Sequence, residues 1–175
     1  MALHKVVMEE VVLVDSQDRQ VRTAEKMLAH QQGWLHRAFS ICLFDTEGRW
    51  LLQRRAKTKY HSAGLLANSC CSHPRPGEDL LAAANRKLQQ ELGIECPLQW
   101  HTSFIYRAEV GHDLIEYEYD HIFVGTYSDL CSPNREEVSE VLWWTTEQIK
   151  EALPAAPQQF AAWFPLVFKQ ITIKD

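Results

Sequence analysis

The chain has 175 residues, 46% of them hydrophobic and 23% charged, with a formal net charge of −5 at pH 7. That is about one domain's length, and a domain of this size buries roughly 70% of the surface its unfolded chain exposes, so it is expected to fold without staples. The acidic balance argues against broad nucleic-acid binding, which draws on clustered Lys and Arg, but leaves room for a local basic pocket that takes a small anion.

The N-terminal run "VVMEEVVLVD" reads as a strand that ends in the turn "DSQDRQ". Glu9 and Glu10 interrupt its apolar character, so it is not a signal peptide, and no window approaches the roughly 20 apolar residues of a membrane span. "HQQGWLH" then places His30 and His36 just before a strand, at a spacing that suits a loop reaching back to one ion. Alone this is a weak signal: the chain has eight histidines, and a single histidine is more often a surface or satisfied core residue. "AFSICLFD", "TEG" and "RWLLQRR" read as a hairpin around a short glycine turn. Residues 56–67 are loop-like and basic. With Arg54, Arg55, Lys57 and Lys59 close together, "RRAKTK" makes a positive spot in an acidic protein. Arg binds phosphate through its fork and Lys as a point charge; the plain alternative is a solvated loop.

"NSCCSHPRPGED", residues 68–79, poses four alternatives: a redox pair, a metal site, a catalytic thiol, or only a tight turn with buried cysteines. The five cysteines are Cys42, Cys70, Cys71, Cys96 and Cys131. No C-x-x-C occurs among them, so zinc-ribbon and thioredoxin-type motifs are unsupported. Neighbouring cysteines rarely pair, because the bridge strains the peptide between them. Reduced thiols in a cytosolic protein are expected.

The clearest helix runs from Asp79 to Leu92. Glu78 and Asp79 suit its positive N-terminal end, and Gly93 stops it. Its apolar stripe of Leu81, Ala84 and Leu88, continued by three residues, reaches Glu91 and puts a carboxylate at the end of a buried face. "WHTSFIYRAEV" and "IEYEYDHIFVGTY" are two strands around the turn "GHD". Period two sets Glu116, Glu118 and Asp120 on one face, with the α-carbons of Glu116 and Glu118 about 6.5–7 Å apart. Such a pair converges on one cation, or else forms the solvated face of an edge strand. Taken together with the histidines, the paired carboxylates suit a divalent metal in an N/O octahedral site, such as Mg²⁺ or Mn²⁺, or Zn²⁺. "EVLWWTT" is a further strand, and "TEQIKEAL" and "PQQFAAWFPLVFKQ" are closing helices. Trp163 in the second is either core or a wall whose face stabilises a cation. The fold class is α/β of the mixed α+β kind, a mixed sheet with helices packed on its faces.

At "SHPRPGEDLLAAANRKLQQELG" the sequence resembles the Nudix helix pattern, a Gly, a Glu six residues on, and an R-E-hydrophobic-x-E-E-x-G block that binds Mg²⁺-diphosphate. Glu78, Arg86, Leu88, Glu91 and Gly93 fit it. Ser72 stands in place of the Gly, Lys87 in place of the Glu after Arg, and Gln90 in place of the first paired Glu. One of three helix acids is retained, so metal-holding power for hydrolysis is mostly lost, while diphosphate binding through a single Mg²⁺ survives. Preceded by "NSCCSHP" and followed by "EYE", this thinned helix looks like the type 1 isopentenyl-diphosphate isomerases. "TAEKMLAH", "LHRAFS", "LLQRRA", "NSCCSHP", "GE", "QELG", "FIYRA" and "EYE" appear in that family's order across nearly the whole chain.

The resemblance implies one Nudix-like catalytic domain over residues 1–175, with a mixed sheet sandwiched between helices. It implies a His₃Glu₂ metal site of His30, His36, His73, Glu116 and Glu118. Cys71 would be the catalytic thiol and Glu116 the carboxylate across the substrate, with Tyr106 hydrogen-bonded near the carboxylate and Trp163 as the aromatic wall. Glu91 and the Cys71 carbonyl would hold a bridging Mg²⁺, and Lys26, Arg55, Lys59 and Lys87 would bind the diphosphate. The second ion would be Mn²⁺, Zn²⁺ or Mg²⁺. The expected activity is interconversion of isopentenyl and dimethylallyl diphosphate in isoprenoid precursor synthesis by a cytoplasmic monomer, with neither nucleic-acid nor membrane partners. The competing activities are Nudix hydrolysis of a nucleotide or other diphosphate, and non-catalytic diphosphate or metal binding.

Overall fold

The computed structural model describes residues 8–173. His4 and the first two residues of the expected N-terminal strand, Val6 and Val7, lie outside them. In chain order the elements are β1 (Glu10–Val14), β2 (Gln20–Glu25), α1 (Lys26–Gln32), β3 (His36–Phe44), β4 (Trp50–Arg55), β5 (Leu66–Ala67), β6 (Cys70–Ser72), α2 (Leu80–Leu92), β7 (Gln99–Glu109), β8 (Ile115–Thr126), β9 (Val138–Trp144), α3 (Thr146–Ala155) and α4 (Phe164–Thr172), with a 3-10 turn at Pro157–Gln159.

Strand β3 is the hub. It is nearly continuously buried, as a strand covered on both faces must be, and it pairs with β1 and β6 antiparallel and with β8 parallel. Strand β7 pairs β8 antiparallel. The hairpin expected between β3 and β4 exists, but its ladder is the single pair Phe44–Trp50; β4 then diverges and pairs β5 and β9. Residues 66–72 fill the opened wedge: β5 lies on β4 and β6 on β3. The side chains between them satisfy backbone groups that the divergence leaves free. Ser69 Oγ donates to Leu51 O (2.7 Å) and accepts from Leu43 N (2.9 Å), and Asn68 Nδ2 donates to Ile41 O (3.1 Å). Of "NSCCS", Cys70–Ser72 are therefore strand β6 inside the sheet, and Asn68 and Ser69 bend between β5 and β6. The turn proper is confined to the Pro–Gly residues that follow.

The sheet is covered on both faces, as the mixed α+β reading expects. On one side Phe39, Ile41, Leu43 and Cys70 pack with Ala83, Ala84, Leu88 and Leu92 of α2. On the other, Cys42, Leu52 and Ile122 pack with Ile149 of α3 and with Phe164, Val167 and Phe168 of α4. Burying a side chain such as Leu88 contributes roughly 2 kcal/mol. Helix α2 is capped by the Asp79 side chain, which accepts from Ala82 N at 2.9 Å, and ends at Gly93 in the left-handed conformation. A Cβ there would also lie 3.1 Å from Ser132 O. The expected stripe needs one correction: Leu81 is 40% exposed, and the buried positions are Ala83, Ala84, Leu88, Glu91 and Leu92. The stripe is rotated toward Ala83, because the small face lets α2 approach the sheet closely.

Two more elements differ from expectation. His30 lies on helix α1, not in a loop, and His36 is the first residue of β3. Glu25 caps α1 by accepting from Met27 N (2.8 Å) and Leu28 N (2.7 Å). Trp163 does not lie within a closing helix. The stretch 157–163 is a 3-10 turn followed by a segment in which Phe160 bridges Leu66, and Trp163 is the N-cap residue of α4.

Candidate active site

Strand register assembles the site. In the parallel ladder His36 pairs Glu118 and Ala38 pairs Asp120. Across β3, Ser40 pairs Cys71; across β8, Glu118 pairs Tyr106. Period two then turns His36, Ser40, Cys71, Tyr106, Glu116, Glu118 and Asp120 to one face. The three acids are buried, at 5%, 6% and 0% exposure in sequence order, so the alternative of a solvated edge-strand face does not hold: β8 is flanked by β3 and β7 on its two sides. The same alternation separates the two cysteines. Cys70 packs against α2, whereas Cys71 lines the main cavity.

That cavity has a volume of about 690 Å³. Its walls bring together Cys71, His73, Tyr106, Glu116, Glu118 and Trp163 with Glu91 and all four expected diphosphate ligands, Lys26, Arg55, Lys59 and Lys87. His30 and His36 lie beneath it, fully buried.

The histidines form one cluster. His30 Nδ1 donates to Lys26 O (2.7 Å) and His36 Nδ1 to Trp34 O (2.8 Å). Carbonyls only accept, so both rings carry their proton on Nδ1 and present a bare Nε2. His36 Nε2 lies 3.2 Å from His73 Nε2, which lies 2.9 Å from Glu118 Oε1. The buried His30 Nε2 has no hydrogen-bond partner. Donor atoms of His30, His36, His73 and Glu118 lie within 4.8 Å of one another, and those four residues could hold a metal ion. Bare imidazole nitrogens facing each other with a carboxylate between fit a divalent cation better than they fit an all-protein hydrogen-bond network. Burial lowers the pKa of His30, and brings that of His73 down to about 3, which keeps both neutral and ligand-competent.

The paired acids differ. Tyr106 Oη is 2.8 Å from Glu116 Oε2 and 2.7 Å from Glu118 Oε2. Burial, then the neighbouring Glu118, pushes the Glu116 carboxyl well above the carboxylate range. Burial acts on Glu118 in the same direction, but the neighbouring His36 and His73 side chains hold it well below. One carboxyl is thus kept protonated beside one kept ionised, the division of roles on which acid–base pairs depend. Burial, then Asp120, pushes the Cys71 thiol up, so it is held as a thiol rather than a thiolate.

The thiol is held from two sides. Asn68 Oδ1 lies 3.2 Å from Cys71 Sγ, and Ser40 Oγ lies 3.5 Å from it while donating to Asp120 at 2.7 Å. Asn68 Oδ1 also accepts from Trp163 Nε1 at 3.2 Å. On the anion side, Lys87 Nζ lies 3.2 Å from Glu91 Oε1, Lys26 pairs with Glu9 at 2.8 Å, and Lys59 pairs with Glu137. Arg55 donates through Nη2 to His61 O (3.2 Å), while its buried Nε has no partner. Glu78, the other acid of the helix motif, is engaged by Arg86 through both oxygens, at 2.7 and 2.9 Å.

Sequence reasoning missed Ser40, Asn68 and His61. Ser40 and Asn68 carry no spacing signal, since their role comes from the wedge between β3 and β4. His61 stands alone in a loop, where periodicity gives no information. It is nevertheless buried, with Nε2 3.3 Å from Glu116 Oε1, and burial followed by Arg55 brings its pKa down to about 3.

Residues 34–164 match the NUDIX domain family model, and with the fold this defines the class: the chain belongs to the NUDIX family. Two curated relatives narrow the likeness. The isopentenyl-diphosphate Delta-isomerase 2 of Photorhabdus laumondii is 47% identical over 95% of this chain and 94% of its own. The isopentenyl-diphosphate Delta-isomerase of Serratia proteamaculans is 47% identical over 93% and 91%. Among solved structures, DR0079 from Deinococcus radiodurans superposes with a TM-score of 0.78 at 16% identity, covering 94% of this chain and 99% of that one. The MutT protein from Methanosarcina mazei Go1 gives 0.64 at 18% identity, covering 80% and 94%. At those identities the structural likeness concerns the fold. Among the described residues no helix is long and apolar enough to cross a membrane.

Proposed function

We propose that the chain interconverts isopentenyl and dimethylallyl diphosphate. The observation that carries the reading is the placement of the Cys71 thiol and the Tyr106-linked Glu116–Glu118 pair on one cavity with a cluster of cations and Glu91. The relatives' printed names support it.

Moving the double bond requires adding a proton to the terminal alkene carbon and removing one from the carbon nearer the diphosphate, with a tertiary carbocation between. An acid and a base must flank the substrate. Cys71 is assigned one side and Glu116 the other. Burial raises the pKa of both; turnover requires one protonated and the other ionised, the first giving its proton to the terminal carbon and the second taking one from the carbon nearer the diphosphate. Tyr106 orients the carboxyl. Asn68 and Ser40 orient the thiol. Trp163, 2% exposed and aligned by Asn68, is assigned to face the cation, an interaction of roughly 2 kcal/mol or more when desolvated. Water must be kept out, since it would capture the cation.

Lys26, Arg55, Lys59 and Lys87 are assigned to the diphosphate oxygens, and the unpartnered Arg55 Nε is a donor suited to such an anion. Glu91 with the Cys71 carbonyl is assigned to a Mg²⁺ on the diphosphate. The second divalent ion, Mn²⁺, Zn²⁺ or Mg²⁺, is assigned to His30, His36, His73, Glu116 and Glu118; when bound, it supplies positive charge that stabilises a carboxylate at the reacting carbons. Hydrolysis is disfavoured because Lys87 and Gln90 replace helix acids and Glu78 is taken up by Arg86.

The test is proton NMR of isopentenyl diphosphate with the protein and Mg²⁺ in deuterated buffer. Dimethylallyl diphosphate that carries deuterium is the expected product. Release of phosphate without isomerisation would favour a hydrolase and defeat the reading.

A further inference from the structure

We propose that His61 is a further donor to the divalent cation of the histidine cluster, so that four imidazoles rather than three meet the ion. The inference rests on the metal reading of that cluster given above. His61 belongs to the loop between β4 and β5 and is 3% exposed. Its Nε2 faces Glu116 Oε1 at 3.3 Å, and its Nδ1 faces Ser62 Oγ at 3.1 Å. A charge-assisted hydrogen bond from imidazole to carboxylate closes to about 2.7–2.9 Å, so 3.3 Å is long for two groups meant only for each other. Ligand bonds of about 2.0–2.2 Å put neighbouring donors on one ion roughly 3 Å apart, which is near the separation found.

His30 links this pair to the rest. Donor atoms of His30, His61 and Glu116 lie within 4.8 Å of one another, as do those of His30, His36, His73 and Glu118. The two groups share His30. Its Nδ1 is committed to Lys26 O, so a single lone pair, on the buried and unpartnered Nε2, serves both. One lone pair ligates one ion. An ion held by His30 Nε2 can therefore draw donors from either group, and His61 would join it together with Glu116. Ser62 Oγ, 3.1 Å from the far nitrogen of His61, can accept its N–H and so give the outer support that ligating histidines need. A fourth imidazole moves the preference of the site from Mg²⁺ toward borderline ions such as Zn²⁺, Fe²⁺ or Co²⁺.

The probe is Co²⁺ alone. Each imidazole that binds Co²⁺ through Nε2 gives one strongly shifted, exchangeable ring N–H signal in the proton NMR spectrum. Four such signals are expected in the parent, and three in His61→Gln. Three signals in the parent would overturn the role of His61 while leaving the three-histidine site standing. Their complete absence from the parent would remove the metal site and this inference together. Because the parent spectrum alone decides the count, a poorly folded variant does not spoil the test.

Discussion

Cys71 and Trp163 hang on the same acceptor: Asn68 Oδ1 lies 3.2 Å from the thiol sulfur and 3.2 Å from the indole nitrogen. The amide cannot turn over, because its Nδ2 donates to the carbonyls of Ile41 (3.1 Å) and Cys70 (3.0 Å). Thiol and indole are therefore set relative to each other by one buried side chain. Asn68→Ala leaves two donors and two carbonyls unsatisfied, and should cost on the order of 3 kcal/mol in urea unfolding. Turnover should fall about 10-fold or more, or ~1.4 kcal/mol in barrier, with KM little changed since Asn68 is not among the residues assigned to the diphosphate. A change confined to KM would contradict this role.

The two adjacent cysteines should behave oppositely. Cys71→Ala is expected to abolish isomerisation while binding of a diphosphate analogue, followed by calorimetry, stays nearly intact. Cys70 faces α2 within the core, and Cys70→Ala should retain turnover with a stability loss of about 1 kcal/mol from the small cavity. Full activity in Cys71→Ala would end its assignment as a proton carrier.

Arg55 should not be replaceable by Lys. Its guanidinium donates to His61 O (3.2 Å), lies 5.1 Å from the Trp163 ring centre, and has a buried Nε without a partner, assigned above to the diphosphate. An ammonium group lacks that fork. Arg55→Lys should raise KM roughly 10-fold, the size of a lost charged hydrogen bond, with a smaller effect on kcat. Steady-state kinetics checks the split; unchanged KM would exclude Arg55 from the diphosphate site.

In metal-free protein His73 should remain neutral well into the acid range. Its folded pKa is about 3, burial being the main cause, against about 6.5 unfolded. Between those values the unfolded chain binds the extra proton, so this group destabilises the fold as pH drops below 6.5, by up to about 1.4 kcal/mol per pH unit. Glu116 and Asp120, whose pKa values are raised, act in the opposite sense, so the effect is read as a difference. The parent should lose stability relative to His73→Gln between pH 6.5 and pH 4, by urea midpoints on metal-free samples. A parent that gains on acidification would reverse the assignment.

Much of this molecule is local. The run from Asp79 to Gly93 carries its own cap and stop, which is why α2 was legible. Strict alternation in "IEYEYD" put the three acids on one face before any partner strand was known. The likeness of "NSCCSHP", "QELG" and "EYE" to one family was legible for the same reason: those residues are close in sequence. Their chemistry depends on neighbours that are not. Whether the acid face of β8 met water or the core depended on β3 and β7 flanking it, a long-range pairing. Asn68 and Ser40 gained their roles only because β3 and β4 diverge and residues 66–72 fill the gap. His61 drew its meaning from burial beside Glu116, 55 positions further on in the sequence. Sequence alone determined which elements form and which residue types are on offer. The tertiary structure decided which of them share one cavity and one buried face, because desolvation and hydrogen-bond partners, the forces that set protonation and metal affinity, exist only after the chain has packed.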